Sequence, residues 1–211
     1  YTEQPELMFG NIFYNIGKIA SSSTLFHDTS PELIDINSDG VTDAFFGDLK
    51  GNTYMVEPTT ESTPPTLIKN PFGISDVGGL ANPEFVDIDL DGDLDLFIGN
   101  RKGNMIYKEN LGSKTQPDFS GKEEKNPFGI VDVGRNAAPT FADIDGDQDL
   151  DLFVGNKAGR IIFFENDGSP TEPKFVRKNH QTPFGITIEG KLASPEFIDI
   201  DHDGDLDLLV G

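Results

Sequence analysis

A chain of 211 residues with 36 % hydrophobic content is long enough for one full-sized domain with a packed core. Its 37 acidic side chains outnumber 16 basic ones, and the formal charge of -21 argues against nucleic acid or anionic membrane as a partner and for cations or basic surfaces. Without cysteine there are no disulfides or thiolate metal sites, and no segment approaches the ~20 apolar residues of a membrane helix.

Taken in chain order, the first strand signals are GNIFYNIG from Gly10 and TLF at Thr24. PELIDINSDGVTDAFFG then begins at Pro31. It returns as PEFVDIDLDGDLDLFIG at Pro83, PTFADIDGDQDLDLFVG at Pro139 and PEFIDIDHDGDLDLLVG at Pro195, after steps of 52, 56 and 56 residues. NPFGI at Asn70 and Asn126 and TPFGI at Thr182 keep the same 56-residue step. One unit is therefore written four times, and that period governs the reading of everything else.

The third unit shows the content of the repeat most clearly. PTFADI reads as a strand, the acidic run as a loop, and DLDLFVG as a second strand that begins with period-2 alternation. NKAG supplies turn residues, RIIFFEN a β-branched and aromatic third strand, and DGSPTEP a link to a weaker fourth strand near KFVRK. Four short antiparallel strands per unit predict an all-β propeller, because one small sheet buries both faces only when neighbours stack on it. The nonapeptide period of a calcium-binding β-helix is too short for this spacing. The expected units are 27–82, 83–138, 139–194 and 195–211, the last completed by 1–26, since GNIFYNIG resembles GNMIYKENLG from Gly103. Such sharing closes a single four-bladed domain over 1–211.

The acidic run lies between the first two strands of each unit, and its spacing suits a hard cation. Counted from its first aspartate, carboxylates fall at positions one, three, five and nine: Asp87, Asp89, Asp91 and Asp95 in the second copy. The third offers Asp143, Asp145, Asp147 and Asp151, and the fourth Asp199, Asp201, Asp203 and Asp207. The first keeps Asp35, Asp39 and Asp43 but has Asn37 at position three, which makes it the weakest expected site. Calcium takes six to eight oxygens at about 2.3–2.6 Å, so a wrapping loop can add a main-chain carbonyl to such a set. Position seven is the natural donor; it is Val41, Asp93, Asp149 or Asp205, and Val41 has only its backbone oxygen to give. About four calcium ions are expected. Glycine at position six (Gly40, Gly92, Gly204) allows the turn, whereas the third copy has Gln148 there and Gly146 at position four, which leaves room for a different turn.

Other readings of these residues are weaker. An EF-hand needs flanking helices and a glutamate at position twelve, which is occupied here by Phe46, Ile98, Val154 and Val210. Catalytic carboxylates need two unlike environments in one cleft, not near-identical sites repeated once per unit. His27, His180 and His202 occupy unrelated places in the repeat, with His202 expected to point outward, and no nucleophile motif is present. Phe72, Phe128 and Phe184 of the PFGI segments recur with the units and are expected to pack between sheets.

The runs DIDLDGDLD, DIDGDQDLD and DIDHDGDLD, each followed by an apolar strand ending in glycine, are similar to the calcium loops of FG-GAP/VCBS repeats. These are the blade units of integrin α-subunit propellers and of many bacterial extracellular proteins, and the wording NPFGI…DVG…APTFADIDGD is especially similar to bacterial VCBS-type arrays. The resemblance covers nearly the whole chain. It implies a calcium-dependent propeller, secreted or at the cell surface, in adhesion, recognition or structural assembly, and it fixes no single activity. The expected partners beyond calcium are a protein or glycan at a cell surface, or further copies of the chain. No enzyme is expected; the alternative is an enzyme or accessory domain acting on carbohydrate or another polymer at the propeller face.

Overall fold

The computed structural model describes residues 31–57, 66–178, 183–188 and 190–211. Three four-stranded antiparallel sheets follow one another, each in plain sequence order. The first holds β1 (Glu32–Ile34), β2 (Asp43–Gly47), β3 (Thr53–Glu57) and β4 (Thr66–Lys69). The second holds β5 (Asn82–Val86), β6 (Asp95–Gly99), β7 (Met105–Lys108) and β8 (Glu124–Lys125). The third holds β9 (Ala138–Ala142), β10 (Asp151–Gly155), β11 (Ile161–Asn166) and β12 (Phe175–Arg177), and β13 (Pro195–Ile198) pairs with β14 (Asp207–Val210). The four strands expected in the third unit are all present, as β9 to β12. The strands expected around Gly10 and Thr24 lie outside the described residues.

Stacking of the sheets follows from the second strand of each unit, which is apolar on both faces. On β6, Leu96 and Ile98 join a cluster with Phe45, Met55, Phe85 and Phe119, between the first and second sheets. Phe97 points the other way, into a cluster with Tyr107, Leu152, Val154 and Phe164, between the second and third. Period-2 alternation with both faces apolar is what a sheet needs when it is covered on both sides. β2, β6 and β10 are accordingly buried along their whole length. Beyond the third sheet, Phe153 and Phe163 pack against Phe197 and Leu208 of the last pair. Phe72 and Phe128 pack against these cores as expected. Phe184 touches Phe163, with ring centroids 5.1 Å apart, yet remains 63 % exposed.

The glycine that ends each second strand marks where one unit meets the next. A Cβ added at Gly47, Gly99 or Gly155 would lie 1.7, 2.2 or 2.1 Å from the carbonyl oxygen of Ala81, Ala137 or Ala193. These glycines are required by close backbone approach, not by an unusual torsion. The first strands lie side by side, β5 against both β1 and β9, and β9 against β13. Each first strand runs toward its acidic loop and each second strand runs away from it, so the loops sit at one end of the sheets. The turns after β2, β6 and β10 sit at the other.

Candidate metal centre

All four acidic loops share one backbone design. The carboxylate at position one accepts the N–H of position six: Gly40 to Asp35 Oδ2 at 2.8 Å, Gly92 to Asp87 at 3.1 Å, Gln148 to Asp143 at 3.0 Å and Gly204 to Asp199 at 3.2 Å. The position-five carboxylate accepts the N–H of position seven in every copy, at 2.8–3.1 Å. Both positions four and six have positive φ: Ser38 53°, Leu90 57°, Gly146 80° and His202 61° at four, and Gly40 85°, Gly92 96°, Gln148 77° and Gly204 97° at six. The third loop therefore has the same turn as the others, and only the position that receives glycine has moved. A different turn is not needed: Gln148 adopts the left-handed conformation although it is not glycine, held by its bond to Asp143.

This backbone brings the predicted carboxylates together. Oxygens of Asp87, Asp89 and Asp91 lie within 4.8 Å of one another, as do those of Asp143, Asp145 and Asp147, and those of Asp199, Asp201 and Asp203. In the first loop Asn37 Nδ2 donates to Asp39 Oδ2 at 3.0 Å, and the side chains of Asp35 and Asn37 both accept from the Asp39 N–H. Position nine begins the second strand instead of joining the cluster. Asp95 is 3 % exposed, accepting Asn110 N–H at 2.8 Å and the Tyr107 hydroxyl at 3.0 Å. Asp151 accepts Asn166 N–H at 2.8 Å and Asp207 accepts Ile200 N–H at 3.2 Å. Asp43 is 5 % exposed at the start of β2. A carboxylate that accepts one bond per oxygen keeps lone pairs for a further partner. His202 is exposed, as expected, while His27 and His180 lie outside the described residues.

The electrostatics of the loops suit a cation. Burial and the neighbouring charges of Asp91, Asp87 and Asp89 raise the Asp93 carboxyl above its ordinary value, and burial followed by Asp147, Asp145 and Asp143 does the same to Asp149. Burial raises Asp95 to about 7 and Asp151 to about 6. Asp87 Oδ1 is buried without a hydrogen-bond partner. No lysine or arginine among the described residues forms an ion pair with any of these loops. Clustered hard oxygens and the orphaned carboxylate oxygen of Asp87 suit a divalent cation such as calcium.

A second acidic group was missed by reading the loops alone. Glu32, Glu84 and Glu196 occupy the same place in β1, β5 and β13, and their carboxylate oxygens also lie within 4.8 Å of one another. The third unit has Thr140 there, 2 % exposed and hydrogen-bonded to Glu84. Burial, then the charge of Glu196, raises Glu32 to about 8; burial, then Glu32 and Glu196, raises Glu84 well above its ordinary range. The signal was present in the sequence as the second residue of PEL, PEF, PTF and PEF.

Repeated antiparallel sheets, each with an aspartate loop between its first two strands, define an all-β repeat protein with candidate cation sites. A family model described as an FG-GAP-like repeat matches residues 87–154 and again 143–210, which together span more than half of the chain. The chain belongs to the FG-GAP-like repeat family. No curated protein matches it.

Proposed function

We propose that the chain is a calcium-dependent β-propeller that serves as an extracellular recognition, adhesion or assembly module and not as an enzyme. The observation that carries this reading is the convergence of three aspartates within 4.8 Å on the same left-handed framework in three successive loops. Positions one, three, five and nine supply side-chain oxygens, and the position-seven carbonyl supplies a backbone oxygen, in each of four sites. In the second loop Tyr107 and Asn110 orient Asp95 toward that role. Each ion ties the end of a first strand to the start of a second and relieves the repulsion among the carboxylates. An unfolded loop offers no such cage, so binding energy becomes folding energy.

Four blades in one ring is the arrangement we infer for residues 1–211, with units near 27–82, 83–138, 139–194 and 195–211 joined to 1–26. The proximity of Glu32 on β1 to Glu196 on β13 supports it, since the first and last of the repeated inner strands meet. Leu209 and Val210 are 48 % and 38 % exposed where their counterparts Phe153 and Val154 are fully covered, which leaves a face for further strands to occupy. An extracellular setting suits this reading, since extracellular calcium modules bind at about 10⁻⁴ to 10⁻³ M, a range filled outside cells and largely empty in cytosol. Repetition of near-identical carboxylate sites favours a binding module over a single catalytic cleft. Calcium titration of metal-free protein by calorimetry tests the reading: about four ions are expected, one weaker than the rest, and an absence of binding at millimolar calcium overturns it.

A further inference from the structure

We propose that the end of the sheets opposite the acidic loops carries a binding site for a multiply charged oxyanion of small-molecule size. A cavity of about 730 Å³ opens there, lined by Leu49, Leu80, Arg101, Lys102, Arg135, Asn136 and Lys157. That volume lies within the range of ordinary ligand pockets, about 300–1,000 Å³. Four of the 16 basic residues of a chain with charge -21 converge on this one concavity. None of the four forms an ion pair with a carboxylate among the described residues.

The repeat builds the site from three successive units. Leu49, Arg101 and Lys157 are the same position of the turn after β2, β6 and β10, and Leu80 and Asn136 are the same position of the segment entering β5 and β9. Backbone bonds stitch the turn of one unit to the entry of the next: Leu80 N–H to Leu49 O at 3.3 Å, Arg101 N–H to Gly79 O at 2.8 Å, Asn136 N–H to Arg101 O at 3.2 Å and Lys157 N–H to Arg135 O at 2.7 Å. The Cα positions that carry the charges are thus fixed by the core, although the side chains reach into water. Arg101 Nη2 donates to Leu49 O at 3.1 Å, which orients the guanidinium and leaves its other N–H groups for a ligand.

Among the described residues no carboxylate forms an ion pair with these cations. Asp48 accepts the N–H groups of Lys50, Gly51 and Asn52, and Asp76 and Asp132 accept from Gly78 and Gly134, so each is held by its own turn. Buried Leu80 and half-buried Leu49 give the cavity an apolar wall. Guanidinium and ammonium groups on such a wall suit carboxylate or sulfate oxygens spaced across one ligand. This goes beyond the calcium reading, and either can fail alone, because the two sets of residues lie at opposite ends of the strands.

Calorimetric titration of the full chain, with calcium in excess, tests the assignment with two probes: tricarballylate for carboxylates and a sulfated disaccharide for sulfates. Binding of at least one is expected, weakening as salt is added. Arg135→Ala and Lys157→Ala should each weaken it about tenfold or more, a loss of about 1.4 kcal/mol. Lys125→Ala, on β8 and away from the cavity, should leave it unchanged, and melting temperature and calcium stoichiometry confirm that each variant is folded. Which probe binds separates the carboxylate source from the sulfate source. The site is refuted if neither anion binds to folded protein, or if the cavity variants bind as well as the parent or no worse than Lys125→Ala. Repeating the titration without calcium reads the cavity even if the loops hold no ion.

Discussion

Gly99→Ala puts the joint between units under direct test. The added Cβ would lie 2.2 Å from Ala137 O, 2.7 Å from Ala137 C and 3.0 Å from Pro139 Cδ, where ordinary contact begins at 3.4 Å. The carbonyl would have to retreat by about 1.2 Å to reach that distance. Two bonds cross the same joint, Ala137 N–H to Asn100 O at 3.1 Å and Asn82 Nδ2 to Ala137 O at 2.7 Å, and a shift of that size breaks or weakens both. Overpacking costs about 1–3 kcal/mol and each lost hydrogen bond about 1 kcal/mol, so the variant should lose roughly 2–5 kcal/mol. Out of a total of about 5–15 kcal/mol, that is a large share, equivalent to roughly 5–15 °C in Tm for a chain of this size. Urea and thermal unfolding in saturating calcium would measure it. A loss below about 0.5 kcal/mol would refute the reasoning, because ordinary surface changes fall within that range.

Other outcomes follow from the loops and the inner strands. Asp89→Ala and Asp145→Ala should each remove about one ion from the calcium count, and an unchanged stoichiometry contradicts the assignment of those carboxylates as ligands. Deleting residues 1 to 17 should strongly lower thermal stability if they complete the ring; a Tm within about 2 °C of the parent contradicts closure. The inner glutamates set a pH dependence. Their pKa values are raised in the fold, so the folded state holds protons that the unfolded state releases, and stability should fall as pH rises from 4.5 toward about 8. Glu84→Gln should flatten that fall and be more stable than the parent near pH 8, measured by Tm in excess calcium; an equal fall in both proteins overturns the assignment.

The sequence made the strands, loops and period legible because each is a local pattern. PTFADI, DLDLFVG and RIIFFEN display their alternation within a few residues, and the aspartates repeat at ligand spacing inside one short turn. The left-handed Ser38 and Leu90 at position four were invisible, since neither residue type announces positive φ, and His202 alone is too weak a signal. Their conformation is set by the carboxylates that gather the following N–H groups. Glu32, Glu84 and Glu196 looked like strand residues until three separate strands placed them side by side. Arg101, Arg135 and Lys157 likewise are scattered in the chain and meet only across the joints between units. Phe184 shows the same limit in reverse, being identical to Phe72 and Phe128 in its PFGI setting but 63 % exposed, because cover depends on what the next unit brings.

Calcium dependence is the central reading of the four acidic loops. Its most direct test is the melting temperature of the full chain in millimolar calcium and after exchange into excess chelator, with metal content measured on the same samples. Roughly four ions per chain should be lost together with a fall in Tm of about 10 °C or more, and both should return when calcium is restored. Protein that carries no calcium and melts at the same temperature with and without chelator would contradict the cage in every loop.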